Sequence, residues 1–485
     1  MKHIVKTFSV LLVLFQVVSC TDFSTDLEVA NLENPNDKIL TSDPVALTAS
    51  AGSIFQNWFL AVHEYDGPQL ALITMSDVTT MSYGNQGMRD LSSEPRVAFN
   101  NTSSYSYQII TSQYFNSLYS VLSDSNTLAL AVKNGTKFED PKQIEMIAKF
   151  GQALSIGYLA LIFDKVWLSD ENGVVGEDAS DYKVAMTFAL TKLDEAIAIA
   201  NANNISLPDS WLPGGGGQAT KVKQFMNSMG ARMMVGNVRN STQKAALNWA
   251  KVLDYANNGI TSDFEIFMDD VSWYAYGTHY YSLTPGWGRV DMRVVNMMDP
   301  STPDYWSDTY TQPNPSTSAD ARLLSDYTFL SANTFQPARG KYHFSSYRYS
   351  RQDAYVANQI GNILEYSKAE NDMFKAEALA YTGNISGAAT VINAGTRVTR
   401  GNLPAVADDI DAVKKAIHYE RLVEFAYTGM GITFFEMRKE NLLQKGTLLH
   451  FPIPGRALQS IPAPNYTYGG TQGVAGEDYS NVGWR

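Results

Sequence analysis

The sequence predicts a mainly α-helical fold in which paired helices form a scaffold and long Gly-, Pro- and Tyr-rich loops elaborate it. Three observations carry this expectation. Apolar residues recur at spacings of three and four through several windows. Small alanines cluster where two helices would meet. Between the helical windows lie aromatic, turn-forming stretches with neither helical nor strand periodicity. The 485-residue chain is 45% hydrophobic and 18% charged, a globular composition.

At the amino terminus, Lys2 and Lys6 precede an apolar run from Phe8 to Val18. That run is shorter than the roughly 20 residues needed to span a bilayer, and it ends in small residues, the pattern of a secretory signal peptide. Val17, Val18, Ser19 and Cys20 fit the aliphatic–variable–small–Cys pattern of a bacterial lipobox, and Cys20 is the chain's single cysteine. The expectation is a lipoprotein signal peptide over residues 1–19, with cleavage before Cys20 and acylation of its sulfur by fatty chains such as palmitate. The alternative is a soluble secreted protein with an incidental cysteine. One acyl chain holds a protein on a membrane marginally and several hold it firmly. Residues 20–40 then form the acylated tether, polar and acidic from Thr21 to Glu28. The whole chain carries a net charge of −12, and loss of Lys2 and Lys6 makes the mature chain more acidic still. Such a balance does not suit nucleic acid or an anionic membrane surface.

Residues 41–485 read as one domain. Ile147, Phe150, Gly151, Leu154, Tyr158, Leu161 and Ile162 share one helical face; so do Met186, Leu190, Leu193 and Ile197, and Val222, Phe225, Met226, Met229 and Met233. A further helix carries Ala246, Trp249, Ala250 and Leu253. Asn371–Gly401 reads as two helices joined at Gly383 and Asn384. Ala376, Ala378, Ala380, Ala388 and Ala389 let them approach closely, as in degenerate TPR-like helix pairs. The four consecutive glycines in Ser210–Lys221 lack the phosphate-loop pattern and read as a flexible surface loop. Long loops are expected over residues 66–105, 264–351 and 451–485.

Several pieces, in order, resemble the SusD/RagB family of surface nutrient-binding lipoproteins: the lipobox at Cys20, Thr41–Trp58 as a first helix, Lys137–Trp167 as a helix pair leading into a loop, Leu193–Ala200, and the late pair ending at Gly401. The most specific is His418–Lys439 followed by Leu448–Pro454. Glu420, Arg421, Glu424, Gly429, Phe435 and Arg438 match the family pattern. Thr428 stands in place of an acid and no arginine follows Gly429, which marks a divergent member. Glu420 and Glu424 lie one helical turn apart and repel unless cations are near; Arg421 or Arg438 is the expected source, giving a structural clamp. A glycosidase would also need two carboxylates.

The resemblance implies a non-catalytic, outer-membrane, lipid-anchored protein facing the cell exterior. It would capture oligosaccharides and deliver them to a SusC-like TonB-dependent transporter. Peptide is the alternative ligand; a surface glycosidase and a purely structural scaffold are further readings. No HExxH, GxSxG or Rossmann glycine pattern is present. The histidines are scattered and Asp269 and Asp270 lack a Ca²⁺ ladder, so no cofactor, metal or catalytic residue is expected. For ligand binding, nine aromatics fall in the 38 positions from Trp273 to Tyr310, about twice the chain average of 12%. Trp273, Tyr274, Tyr276, Tyr280, Tyr281, Trp287, Trp306 and Tyr310 are the candidates, because rings offer flat apolar faces to sugar C–H faces and Tyr and Trp keep a polar handle. A second group on the glycine-containing loop Met75–Leu91 comprises Asp77, Tyr83, Asn85 and Arg89; family members commonly place ligand contacts in the corresponding early loop.

Overall fold

Helix α1 (Pro44–His63) opens the described chain and buries Leu47, Ala51, Ile54, Phe55, Trp58, Phe59 and Val62 at helical spacing. It is long and apolar enough to cross a membrane, but that apolar face packs into the protein core. The computed structural model describes residues 43–81, 85–274, 288–305, 315–331 and 343–470. The fold is mainly α-helical, and the described residues from Pro44 onwards belong to one compact unit.

After α1 come α2 (Gln69–Met75) and β1 (Thr79–Met81), then the long helices α3 (Ile109–Lys133) and α4 (Pro141–Ile162). Asp140 caps α4 by accepting from the Gln143 N–H, with Pro141 in the first turn where its missing donor costs nothing. From Met146 onwards every residue of α4 is buried, so this is the central helix of the scaffold. Gly151 permits the crossing: a Cβ there would lie 2.2 Å from Ser125 Oγ on α3 and 2.6 Å from Ile54 on α1.

The segment after Ile162 is not a loop. It forms an antiparallel hairpin of β2 (Lys165–Asp170) and β3 (Gly173–Asp181), with a bulge between Val166 and Leu168. Lys149 on α4 holds Glu171 at its tip at 2.8 Å. Lys192, on α5 (Tyr182–Asn203), holds Asp170 at 3.0 Å. Next come α6 (Ala219–Gly236), α7 (Trp249–Asn257) and β4 (Phe264–Met268). Helix α7 starts at Trp249, capped by the Asn248 side chain, so Ala246 lies outside it as the C-cap of the short turn Ser241–Ala245.

The four-glycine loop is docked, not loose. Gly214 has φ +79° and lies so close to β4 that a Cβ would meet the Glu265 carbonyl oxygen at 2.5 Å; at Gly216 a Cβ would meet Asp209 Cα at 2.3 Å. The long stretches expected to be structureless also carry short elements: α2 and β1 in the first, and in the second β4, β5 (Gly288–Val290), α8 (Met292–Met298), β6 (Tyr327–Phe329) and β7 (Tyr347–Tyr349). Strand β8 (Gly361–Tyr366) pairs antiparallel with β4.

The late helix pair forms as expected: α9 (Lys368–Tyr381) and α10 (Ile385–Ala394) meet through buried Ala376, Ala380, Ala388 and Ala389, with Gly383 and Asn384 at the join, while Ala378 turns into the main core. With α11 (Ile410–Val423) they enclose a second apolar cluster around Ile392, Val413 and Ile417. Helices α12 (Ile432–Lys439) and α13 (Gly455–Ser460) complete the described chain.

Candidate functional site

Two paired strands and the chain returning at 343–345 assemble a junction from which the predicted ligand segments depart. β1 and β5 pair antiparallel with Thr79 opposite Val290 and Met81 opposite Gly288. The Asp291 N–H donates to the Val78 carbonyl at 2.9 Å, and the Met292 N–H donates to the His343 carbonyl at 2.7 Å. Ser345 N–H closes the ladder on the Val290 carbonyl at 3.0 Å. The early loop thus leaves β1 at Met81 and the aromatic segment joins β5 at its partner Gly288, while the chain returning at His343 meets the other end of β5, at Asp291 and Met292.

Polar groups fix this junction. Asp77, at φ +52°, is buried; its carboxylate accepts from Arg96 Nη2 at 3.1 Å and Gln444 Nε2 at 3.1 Å. Arg293 donates to the Asp77 and Ser76 carbonyls. Thr80 Oγ1 donates to Asp291 Oδ2 at 3.2 Å. His343 Nε2 meets Glu94 Oε2 at 2.8 Å, and Glu94 Oε1 accepts from Gln444 at 2.8 Å. Tyr305 lays its ring over His343, centroids 4.4 Å apart, and remains 48% exposed. A cavity of about 10 Å³, lined by Thr79, Thr80, Glu94, Asp291 and His343 among others, lies beneath.

On the far side of the aromatic segment, Trp273 is half-buried against Phe55 (6.1 Å) and Phe59 (5.6 Å) of α1. Gln56 Nε2 donates to the Ser272 carbonyl at 2.7 Å. Asp269 accepts the N–H groups of Val271, Ser272 and Trp273, and these bonds, that of Trp273 foremost, hold its carboxyl below the usual range. Burial, with the Glu64 charge behind it, pushes the Tyr274 phenol up. Buried His63, bonded to Glu365 Oε2 at 2.7 Å, anchors the end of α1 that presents Glu64, and Gln86 Nε2 reaches Asp66 at 2.6 Å.

Of the predicted ligand residues, Trp273 and Tyr274 thus border α1, Asp77 is enclosed by Arg96 and Gln444, and Arg89 is exposed. Asn85 begins the turn Asn85–Gly87. Tyr83, Tyr276, Tyr280, Tyr281, Trp287, Trp306, Tyr310 and Cys20 lie outside the described residues. Sequence reasoning counted Tyr305 in the aromatic run without naming it a ligand candidate, set His343 aside among the scattered histidines, and did not reach Glu94. Among the described residues no group of three or more His, Asp or Glu side chains has the geometry to hold a metal ion. The junction's carboxylates are taken up by Arg96, Gln444, Thr80 and His343, an arrangement suited to rigid support of the segments that leave it.

No family model and no curated protein matches the chain. Solved structures do. A SusD superfamily protein from Bacteroides vulgatus superposes with a TM-score of 0.61 at 12% identity, covering 87% of this chain and 98% of its own. The fold is that of the SusD superfamily. Surface glycan-binding protein A from Bacteroides uniformis gives a TM-score of 0.58 at 15% identity, covering 87% of this chain and 99% of its own. A SusD-like carbohydrate-binding protein from Bacteroides fragilis gives 0.57 at 14% identity, covering 82% and 86%.

Within this SusD-like fold the Glu420–Glu424 motif is structural, but the cations differ from those expected. Arg322, fully buried, donates to Glu420 Oε2 at 2.7 Å, Glu424 Oε2 at 3.1 Å and Asp320 Oδ2 at 2.8 Å. Arg351 and Arg400 add further bonds to Glu424 Oε1. Arg421 instead joins Glu436 and Glu377, each at 2.7 Å. Arg438 is spent on the carbonyls of Leu449 and Gly236, both at 2.6 Å.

Proposed function

We propose that this chain is a non-catalytic binding lipoprotein, anchored in the outer membrane through acylated Cys20 and facing the cell exterior. It captures oligosaccharides and delivers them to a SusC-like TonB-dependent transporter. The observation that carries the ligand reading is the attachment of three aromatic stretches about one short strand pair, β1 and β5. Tyr83, Trp287 and Trp306 are within two residues, by covalent connection, of Met81, Gly288 and Tyr305, and these three border the same small set of strands. Rings delivered from a rigid base lose little conformational entropy on binding. The printed names of two structural neighbours, a carbohydrate-binding protein and a surface glycan-binding protein, support a glycan.

Titration calorimetry with lipid-free protein tests this. Neutral and acidic oligosaccharides are expected to bind saturably at about −4 to −8 kcal/mol, the millimolar to micromolar range that reversible capture requires. Binding should be lost in a Trp287→Ala/Trp306→Ala variant. Saturable binding of peptides alone overturns the glycan reading, and sustained release of shortened sugars overturns the non-catalytic one.

A further inference from the structure

A second cleft lies away from the junction, between α3, the hairpin strand β2 and α13, the last helix among the described residues. Ser112, Phe115, Asn116 and Tyr119 follow one face of α3 at spacings of three and four, opposite Trp167 and Arg456. The cleft holds about 560 Å³, within the roughly 300–1,000 Å³ typical of small-molecule sites. Its aromatic wall is pre-set. The Tyr119 hydroxyl accepts from the Trp167 N–H at 2.8 Å and donates to the Trp167 carbonyl at 3.1 Å, tying the strand to the helix. Phe115 backs both rings, at 4.7 Å from Tyr119 and 6.3 Å from Trp167.

The rim is polar and its donors are unspent. Asn116 and Arg456 are exposed, and no described residue bonds to either side chain or to the Trp167 indole N–H. The two serine hydroxyls in the cleft are likewise committed, Ser112 to Gln108 Oε1 and Ser460 to the Ala457 carbonyl, both at 2.7 Å. No carboxylate lines the cleft, although the chain as a whole is acidic. A fixed ring pair with free N–H donors around it and no competing anion is complementary to a ligand with a C–H face and a rim of oxygen acceptors.

We propose that this cleft is a second saccharide-binding site, which seats a pyranose ring against Trp167 and Tyr119 and bonds its oxygens through Asn116 and Arg456. It works independently of the strand junction. Hydrogen exchange on the lipid-free full chain, with separate oligosaccharides of glucose, mannose and galacturonic acid, reads the two sites apart. At least one sugar should slow exchange over residues 112–119 and 454–461, and the effect should persist in the Trp287→Ala/Trp306→Ala variant. An Asn116→Ala/Arg456→Ala variant should keep its melting temperature, because both side chains are exposed, and should bind at this cleft about tenfold more weakly. Protection at the junction but never at the cleft, or cleft protection by extended peptides and by none of the sugars, overturns the proposal. Protection at the cleft alone sustains it and removes the junction reading instead.

Discussion

At the residue scale, Arg322 decides whether three buried acids can coexist. Asp320, Glu420 and Glu424 all turn inward, and Arg322 donates to each of them from a position with no solvent exposure. Burial opposes its charge, but the bonds to Glu420 and Asp320 outweigh that and hold it protonated. Replacing Arg322 by Met leaves the carboxylates facing one another, and should cost about 3–5 kcal/mol in urea unfolding. Glu171 gives a pH signature. Burial raises its pKa, but hydrogen bonds from Lys149 and Gln152 win and bring it from 4.5 to about 2. A carboxyl held low in the native state contributes stability above its unfolded pKa, and loses it as pH falls through the native one. Between pH 4.5 and 2, the native protein should therefore lose stability more steeply than Glu171→Gln, as read by urea midpoints at several pH values. The carboxylate clamp itself was legible, because paired acids one turn apart demand a cation. Its partner was not: Arg322 lies about a hundred positions earlier, and no local pattern links it to α11.

At the element scale, the docked glycine loop offers a contrast between two neighbours. Gly214 and Gly217 both adopt positive φ, at +79° and +68°, but only Gly214 faces an obstacle, the Glu265 carbonyl on β4; nothing lies within 4 Å of a Cβ at Gly217. Gly217→Ala should cost only the backbone term, about 1–2 kcal/mol. Gly214→Ala should cost more, and should also speed hydrogen exchange in β4, since strand or loop must move. Equal melting temperatures for the two variants would contradict the docking. Four glycines in a row announce a turn, but the strand they pack against is distant in sequence, so the loop read as free. The long helices α4, α5 and α6 were legible, because a 3.6-residue period repeats several times within each. β1 was not: its three residues are all buried, so no alternation marks it as a strand.

At the scale of the whole molecule, the fold persists where sequence likeness has almost gone, at 12–15% identity to the solved neighbours. Cores tolerate wide apolar exchange provided volume and pattern are kept. That is why helix order and the Glu420–Arg438 stretch could be read when no family model matches. The segments proposed to meet ligand obey no such rule, since a ring that contacts a ligand answers to that ligand and not to packing. The proposed function also requires a place of work, and that rests on Cys20. A single acyl chain gives marginal, reversible membrane binding, whereas two or more give stable anchorage. Cys20→Ala removes the only thiol in the chain, and with it any acyl attachment at sulfur, while leaving Pro44 onwards unchanged. The variant should therefore leave the outer-membrane fraction, keep native far-UV circular dichroism and bind oligosaccharides in solution as the lipid-free protein does. A variant that still sediments with outer membranes after a high-salt wash would place the attachment elsewhere in the chain and remove the basis for a sulfur-linked anchor.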